Sequence, residues 1–440
     1  MKWNVAVAAA LGAALVAGHA SAQQRIPKPG RQDLKAKGPL AGLPAAPGPH
    51  FAKIQGLKDG EWVNLGAPAP DPKWGRARGR SWSAKMPYAP ELQGAFLHGQ
   101  GVHGYIKPDG YFMDDIWFYD LNGHRWICLY PGTDTKHFVE NIEKGELKVD
   151  ANGQLADKQG HAVPFSSIPG HSYQNHTYDT DQHKYIFGCG FVGIGDEQHV
   201  REQEWCKKGK GLLVQQSKGD KVLATPYFFD AVGGNFERFP GDGPKQPFPY
   251  KLSVLFYLPT RRALWYYTEG TTLICDLATR KWSDSGAKGI TPPGTADVGA
   301  CYDGKRDRIY TGKGPYGDPK RAAEGNVYIY DVKTNAWSNP PNKANAAALP
   351  ATNYGSALYD SASDRLLSFA VWEGKGTVSA YNPDKEEWES SAPIPKEVVG
   401  GGACWHAFYS PEVNATFAYV AGDSDDRGTM WAFRYKNAKK

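Results

Sequence analysis

The sequence predicts an all-β protein, a β-propeller of six four-stranded blades closed by a strand from near the N-terminus. Three observations predict this fold. A strand-turn-strand phrase with an acidic residue and an aromatic residue at fixed spacing recurs along the chain, and a second hairpin phrase precedes most copies. The third observation is that the last copy is incomplete while an unmatched strand occurs near the N-terminus. A closed ring explains both ends.

The first phrase, here the Asp/Trp repeat, is a strand that ends in Asp and is followed by an aromatic residue. In "GNVYIYDVKTNAW", residues 325–337, Trp337 follows Asp331 by six positions. Alternating apolar residues predict a half-buried strand, Asp ends it by bonding nearby backbone, and the aromatic begins the next strand and packs between sheets. The same spacing occurs in four other places: Asp120 and Trp126, Asp230 and Phe236, Asp276 and Trp282, Asn382 and Trp388.

The second phrase, here the Tyr-Asp repeat, carries Tyr, Asp, a short polar turn, Lys or Arg, and an apolar run. Tyr178, Tyr302 and Tyr359 begin the clear copies, and Tyr257 and Tyr409 begin looser ones. Each copy reads as a hairpin. The two repeats together predict four strands in about 50 residues, which is the length of one propeller blade.

Closure of the ring is predicted from the two ends of the chain. "MWAFRYKN" places Arg434 at the Asp position of a sixth copy, and no aromatic residue follows it before Lys440. "KDGEWVNLG", residues 58–66, contains Trp62 and has no hairpin before it. We therefore expect this segment to complete the last blade. A seventh, degenerate blade is the alternative, because the step from Asp120 to Asp230 is about twice as long as the others.

A Tyr-Asp or Phe-Asp turn followed six residues later by Trp, repeated at about blade length, resembles the Kelch motif. The resemblance includes the Kelch-like central domain of galactose oxidase. The resemblance covers about residues 58–438. The Gly-Gly pair that Kelch repeats usually carry is replaced here by GCG, TEG, GKG and WEG. The resemblance implies Kelch-like blades, but it implies no subfamily and no activity. The copper-radical chemistry of galactose oxidase needs a Tyr-His ligand pair, and the sequence has no Tyr-His dipeptide.

The domain boundaries follow from composition. Residues 1–22 predict a cleaved signal peptide, with Lys2, an apolar run and the small-residue end Ala20-Ser21-Ala22. Residues 23–57 form a leader rich in Pro and Gly, and 58–438 form a single propeller with insertions at about 131–168 and 191–222. The first insertion predicts a hairpin at Asn152-Gly153. We expect a secreted or periplasmic protein without a membrane span.

The net charge bears on nucleic-acid binding, and the cysteine content bears on disulfide bonds. A net charge of +5 is too small to indicate nucleic-acid binding. Six Cys in an exported chain permit disulfides, and Cys189 and Cys206, which flank the second insertion, are the candidate pair. Three others, Cys275, Cys301 and Cys404, lie in predicted strands and read as small buried apolar residues.

Candidate site residues lie where the innermost strands of the blades begin. His406 occurs in "GGACWHAF", His98 in "ELQGAFLHG", and His171 and His176 in "GHSYQNHTYD". We assign these segments to the innermost strands of the sixth, first and second blades. Closure makes those blades consecutive around the ring, so the histidines are expected to converge on one side of the channel.

Three interpretations of the histidines stay open. Each could bond to nearby backbone, they could hold a metal, or they could act in proton transfer with a phenolic partner. No metal-binding motif occurs, so no metal ligand is assigned, and no cofactor is indicated. The catalytic candidates are His176, His406 and Tyr173. The binding candidates, chosen from the strand entries and neighbouring loops, are His98, His171, Asn175, Tyr354, Trp372 and Arg427.

Two functional hypotheses follow. The first is a protein that binds or modifies a saccharide at the mouth of the channel, as a lyase or epimerase in the catalytic version, because mixed polar and aromatic groups suit sugars. The second is a non-catalytic scaffold that binds a protein or cell-envelope partner through the charged insertions. The fold hosts both enzymes and binding modules, so the sequence does not decide whether the protein is an enzyme.

Overall fold

A computed structural model of the protein describes residues 31–80, 85–98, 110–111, 113–134, 136–149, 155–164, 174–187, 227–238, 254–268, 270–292, 299–312, 327–341, 355–372, 375–399, 406–422 and 426–437. Within these residues, six antiparallel four-stranded sheets form the blades of a β-propeller, as predicted. We number the blades in chain order and list the strands of each from the innermost outwards.

The first three blades contain the following strands: blade 1, β2 (Tyr88–Ala89), β3 (Gly94–Leu97), β4 (Ile116–Asp120) and β5 (Arg125–Tyr130); blade 2, β8 (His176–Asp179), β9 (Lys184–Phe187), β10 (Tyr227–Asp230) and β11 (Asn235–Arg238); blade 3, β12 (Val254–Leu258), β13 (Ala263–Thr268), β14 (Thr271–Asp276) and β15 (Lys281–Asp284).

The other three contain: blade 4, β17 (Ala300–Asp303), β18 (Arg308–Gly312), β19 (Val327–Asp331) and β20 (Ala336–Ser338), with β16 (Lys288–Gly289) added in parallel at its outer edge; blade 5, β21 (Gly355–Asp360), β22 (Arg365–Trp372), β23 (Lys375–Asn382) and β24 (Glu387–Pro393); blade 6, β25 (His406–Ser410), β26 (Ala415–Val420), β27 (Thr429–Arg434) and β1 (Glu61–Gly66).

The ring is closed by the strand near the N-terminus, as the unmatched ends of the sequence predicted. Strand β1 pairs antiparallel with β27, and Trp62 lies opposite Phe433. In blade 4 the residue before the repeat's Asp, Tyr330, lies opposite Trp337 in the same way. Trp62 therefore occupies the aromatic position of the Asp/Trp repeat in blade 6. Its ring stacks on Phe433, with 4.5 Å between centroids.

The Tyr-Asp repeat has a structural explanation in the turn between the first two strands of a blade. The Tyr302 hydroxyl donates to Asp307 Oδ1 at 2.7 Å, and Tyr359 donates to Asp364 Oδ1 at the same distance. Both acceptors adopt a left-handed backbone, with φ of 57°. Asp tolerates that conformation better than most residues, because its short side chain bonds locally. The repeat is therefore a hairpin stabilised by its own Tyr.

Aromatic side chains fill the space between neighbouring blades. Between blades 3 and 4, Trp265 lies 5.8 Å from Trp337 and 5.3 Å from Tyr330, measured between ring centroids. All three are at most 3% exposed. Cys275 and Cys301 are buried, as predicted, and both are free thiols. Cys404 and the candidate pair Cys189 and Cys206 lie outside the described residues.

Residues 31–57 pack onto the propeller. Arg31 Nη2 lies 2.6 Å from Asp120 Oδ1 in a buried ion pair, and Leu40 joins the core between blades 1 and 2. This segment contains a 3-10 turn (Gly38–Leu40) and helix α1 (Phe51–Gln55). Ile54 of α1 is fully buried in the core between blades 6 and 1. Pro/Gly-rich composition does not predict this packing, because a few side chains make all of these contacts.

The first insertion contains helix α2 (Phe138–Glu143) and strands β6 (Leu147–Val149) and β7 (Leu155–Asp157), which pair antiparallel as the predicted hairpin. Two shorter elements are a 3-10 turn (Pro90–Leu92) and helix α3 (Lys396–Val399). The signal segment and the second insertion at 191–222 lie outside the described residues. No helix in the described part of the chain is long and apolar enough to cross a membrane.

Candidate functional site

The innermost strand of blade 1 is not the one we predicted. It is β2, only two residues long between Pro87 and Pro90, whereas "ELQGAFLHG" contributes the second strand β3. A strand this short between two prolines has no alternating pattern, so the sequence did not reveal it. His98 follows the end of β3. Since β3 runs antiparallel to β2, His98 still lies at the end of the propeller where the innermost strands begin.

Three of the predicted histidines come together at that end. His98, His176 and His406 are 5%, 0% and 2% exposed. Burial lowers the pKa of His176 well below its ordinary value, and the neighbouring basic groups Lys85, His98 and His406 lower that pKa further. These groups therefore lie within electrostatic reach of His176. His176 and His406 begin the innermost strands of blades 2 and 6, and His98 follows the second strand of blade 1.

Each histidine has a different hydrogen-bonding state. His176 Nδ1 is 2.8 Å from the Tyr185 hydroxyl, while its Nε2 makes no contact with hydrogen-bond geometry, although the backbone of Lys85 lies near the ring. His406 Nε2 accepts a hydrogen bond from the backbone N–H of Arg80 at 2.8 Å. The ring of His98 packs on Phe187, with 4.7 Å between centroids, and burial lowers the pKa of His98 to about 4. These lowered pKa values keep the rings of His98 and His176 uncharged at neutral pH, and the accepting Nε2 of His406 carries no proton.

A buried lysine completes the cluster. Lys85, just before β2 of blade 1, donates from Nζ to the carbonyl oxygen of Leu255 at 2.9 Å and lies 3.9 Å from the centroid of Phe256. Both contacts belong to blade 3. Burial lowers the pKa of Lys85 to about 7. Within the described part of the chain, no carboxylate pairs with this ammonium, which is unusual for a buried lysine.

An ion pair lies beside the histidines. Arg80 Nη2 is 2.8 Å from Asp115 Oδ1, and both side chains are 0% exposed. The approach lacks hydrogen-bond geometry, so Nε, Nη1 and Nη2 of Arg80 have no hydrogen-bond partner. The other oxygen of Asp115, Oδ2, accepts from Trp117 Nε1 at 2.6 Å. The charge of Arg80 lowers the pKa of His98 and that of Asp115 raises it, which places the pair within reach of the ring.

The remaining predicted residues fall into three groups. Asn175 precedes His176, is 8% exposed, and its Oδ1 has no hydrogen-bond partner. Trp372 ends β22, where its backbone pairs with Lys375, and Arg427 is exposed shortly before β27. The other three candidates, His171, Tyr173 and Tyr354, lie outside the described residues.

Sequence reasoning missed Arg80, Lys85 and Gln174. The Gln174 side chain accepts from the backbone N–H of Ala300 in blade 4 at 2.9 Å, and its backbone oxygen accepts from Leu255 at 3.1 Å. Arg80 follows Gly79 and Lys85 lies two residues before Pro87, and a basic residue near Gly or Pro usually reads as an exposed loop position. The only available signal was the position of Gln174 beside the predicted strand entry of blade 2.

At the opposite end of the channel, buried carboxylates form hydrogen bonds with other side chains of the fold. Glu91 accepts from the Tyr178 hydroxyl and lies 2.7 Å from His183 Nδ1, and that contact raises the pKa of His183. Glu412 accepts from Tyr88 at 2.9 Å and from Ser410 at 2.8 Å. Apart from Glu412 Oε1, these carboxylate oxygens accept from hydroxyl or imidazole groups of the fold, and we take the end with Arg80, Lys85 and His176 as the candidate site. Among the described residues, no group of three or more His, Cys, Asp or Glu side chains is arranged to hold a metal.

The fold and the site define a six-bladed β-propeller with a buried, basic cluster where its innermost strands begin. No family model matches the chain, and no curated protein does. Its fold is similar to that of a luciferin-regenerating enzyme, with a TM-score of 0.38, 9% identity, and coverage of 82% of this chain and 96% of that one.

Two other solved structures are similar at comparable identity. YCF48 bound to a D1 peptide has a TM-score of 0.37 and 10% identity over 84% of this chain and 86% of that one. Hydrazine synthase of Kuenenia stuttgartiensis has a TM-score of 0.24 and 10% identity over 36% and 38%. Likenesses at these scores carry no argument about function. The function must be argued from the site.

Proposed function

We propose that this protein is an exported, Kelch-like propeller that binds a saccharide at the end of the channel where its innermost strands begin. One observation carries the proposal: buried polar atoms without hydrogen-bond partners lie together there, namely His176 Nε2, Asn175 Oδ1 and the Arg80 guanidinium nitrogens. Each such atom costs roughly 1–3 kcal/mol when left unpaired. A ligand that pairs with them regains that free energy.

The chemistry of these atoms supports a polyhydroxylated ligand. Asn175 Oδ1 accepts, Arg80 donates, and His176 Nε2 does either according to its tautomer. A sugar hydroxyl both donates and accepts, so adjacent hydroxyls can satisfy such a mixed set. The described cluster also contains apolar ring surface at Phe187 and Phe256. Ligand sites commonly combine a few placed polar groups with aromatic walls.

A catalytic version, a lyase or epimerase, would use His176 as the base. Burial keeps its imidazole neutral, and the Tyr185 hydroxyl at Nδ1 fixes the ring. A neutral imidazole can accept a proton at Nε2, which is the unpaired nitrogen. His406 is less suited to this role, because its Nε2 already accepts from Arg80. Within the predicted catalytic set, the structural contacts therefore favour His176 over His406.

The test is a proton NMR experiment with the purified mature protein and a panel of neutral and acidic oligosaccharides. Saturation transfer to a glycan supports binding, and new resonances over time identify a reaction. We expect His176→Ala to abolish the transfer or the turnover. His161→Ala is the matched control, since His161 lies in the first insertion, where it contacts Asp157 at 3.1 Å and is half exposed. An unchanged spectrum across the panel would contradict the proposal.

The scaffold hypothesis has one observation in its favour. The β6–β7 hairpin carries exposed charges, with Lys158 Nζ 2.9 Å from Glu146 Oε2, and forms a separate two-stranded sheet outside the blades. Such a hairpin could contact a protein or cell-envelope partner. Deletion of residues 140–165 would then remove partner capture while His176→Ala leaves it unchanged. The opposite pattern would rule out a role for the hairpin.

A further inference from the structure

The geometry points to Arg80 as the residue that binds an acidic group of the ligand, a carboxylate, so that the saccharide class is a uronic acid. This inference rests on the proposed function and specifies its ligand. It begins from the hydrogen bonding of the guanidinium: the residue is 2% exposed, and apart from the ion-pair contact with Asp115 its three nitrogens make no hydrogen bond. The five N–H groups of a buried guanidinium usually donate hydrogen bonds to oxygen acceptors.

The ion pair with Asp115 does not use those donors. Asp115 Oδ1 lies 2.8 Å from Arg80 Nη2 without hydrogen-bond geometry, and Oδ2 is held by the Trp117 indole. The indole contact fixes the carboxylate in place. Asp115 therefore offsets the charge of Arg80 while leaving the planar fork of Nε–H and Nη–H groups available. That fork matches the two oxygens of a carboxylate in a bidentate arrangement.

The position of Arg80 is fixed by its neighbours. Its backbone N–H donates to His406 Nε2, and the hydroxyl of Tyr419 donates to the carbonyl oxygen of Ala77 at 2.7 Å, three residues earlier. A Cβ on the preceding residue, Gly79, would lie 2.2 Å from the carbonyl oxygen of Gly422, so this backbone segment is packed tightly against blade 6. A guanidinium on such a rigid segment is preorganised for a ligand.

The charges around Arg80 favour a monoanion. Asp115 offsets the charge of Arg80, and Lys85, which is protonated below a pKa of about 7, has no described carboxylate partner. The three histidines of the cluster, His98, His176 and His406, are neutral. An incoming carboxylate would therefore balance the cluster, and burying a cation without such a partner is costly. A neutral sugar would leave that cost in place.

The experiment compares matched ligands on the wild-type protein by isothermal titration calorimetry. The probes are trimers of galacturonate, glucuronate and mannuronate, the methyl ester of each, and a sulfated trigalactose. We expect at least one uronate to bind ten-fold or more tightly than its own ester. Equal affinity for acid and ester overturns this inference alone. Binding of neither, with no binding in the NMR panel, overturns the proposed function as well.

Variants then assign the effect to Arg80. Arg80→Lys keeps the positive charge but loses the bidentate fork, so we expect the preference for acid over ester to fall at least ten-fold. Arg125→Met is the control, because Arg125 pairs with Asp120 at the opposite end of blade 1. If Arg80→Lys does not fold, the comparison of acid and ester on the wild-type protein still tests whether the ligand is a uronate. An acid preference retained in a folded Arg80→Lys variant, or tighter binding of the sulfated trimer, overturns the assignment of a carboxylate to Arg80.

Discussion

The ammonium of Lys85 donates a hydrogen bond of 2.9 Å to the carbonyl oxygen of Leu255, and this bond connects blade 1 to blade 3 past the innermost strand of blade 2. The same ammonium lies 3.9 Å from the centroid of Phe256. A charged group is therefore buried where the strands of three blades converge. Burial lowers its pKa to about 7, and the nearby Cys301 opposes that shift.

Lys85 makes the stability of the protein depend on pH above neutrality. Its pKa is about 7 in the folded protein and 10.5 ordinarily, so between these values the unfolded chain binds more protons. Stability then rises with pH, by at most about 1.4 kcal/mol per pH unit. We expect urea unfolding between pH 7 and 8.5 to show this rise in the wild type and not in Lys85→Met. Lys281→Met, which removes an exposed lysine, should keep it.

His98 produces a second dependence on the acid side. Burial lowers its pKa from 6.5 to about 4, so the unfolded state takes up a proton first as the pH falls. Stability contributed by the neutral ring is present above pH 6.5 and is lost between pH 6.5 and 4, by up to about 3 kcal/mol. His98→Gln should flatten unfolding curves in that window. An unchanged acid profile in this variant, with His161→Gln as control, would show that the ring is not buried in solution.

Trp62 lies on the strand that closes the ring, so its removal should affect strands from both ends of the chain. Trp62→Ala loses the stacking contact with Phe433 and should destabilise the protein by about 2 kcal/mol. We expect faster hydrogen exchange in both β1 and β27, because the last blade opens. Trp282→Ala, at the same repeat position in blade 3, should raise exchange only within that blade. Equal patterns in the two variants would contradict closure through β1.

Asp307 tests the explanation of the Tyr-Asp repeat. It accepts hydrogen bonds from Tyr302 and from Thr260 Oγ1, at 2.7 Å and 2.9–3.0 Å, and has a φ of 57°. Asp307→Ala loses the acceptors and strains the backbone, so we expect a loss of about 2–4 kcal/mol. Asp307→Gly loses only the acceptors and should be the milder change. Thermal unfolding of both variants measures the two contributions, that of the lost acceptors and that of the backbone strain. We expect Asp307→Asn to retain most of the stability.

Arg31 tests whether residues 31–57 are held by specific contacts. Its guanidinium contacts Asp120 at 2.6 Å and donates to the carbonyl oxygen of Pro44 at 2.9 Å. Arg31→Met leaves Asp120 with Arg125 as its partner, so the blade should stay folded while the segment loosens. Hydrogen exchange should then rise in residues 31–45. Lys35→Met, which removes an exposed ion pair with Asp33, should leave exchange there unchanged.

The site was only partly predictable from sequence. The six-residue spacing led from Asp331 to Trp337 and, through closure, brought His98, His176 and His406 to consecutive blades, although the strand assigned to His98 was wrong. Arg80 and Lys85 were not predicted. A lone basic residue near Gly or Pro has no local pattern that separates it from an exposed one, and the chain has 51 Lys and Arg residues.

The sequence by itself determined the blade and the closure of the ring, and it favoured six blades over seven. These depend on local pairing: Tyr302 with Asp307, and Trp337 opposite Tyr330, recur at fixed spacing because each hairpin folds by the same short-range contacts. Only the tertiary structure decided that Arg80 and Lys85 are buried beside His176. Their burial results from strands of different blades converging on one channel, and desolvation there lowers the pKa of Lys85.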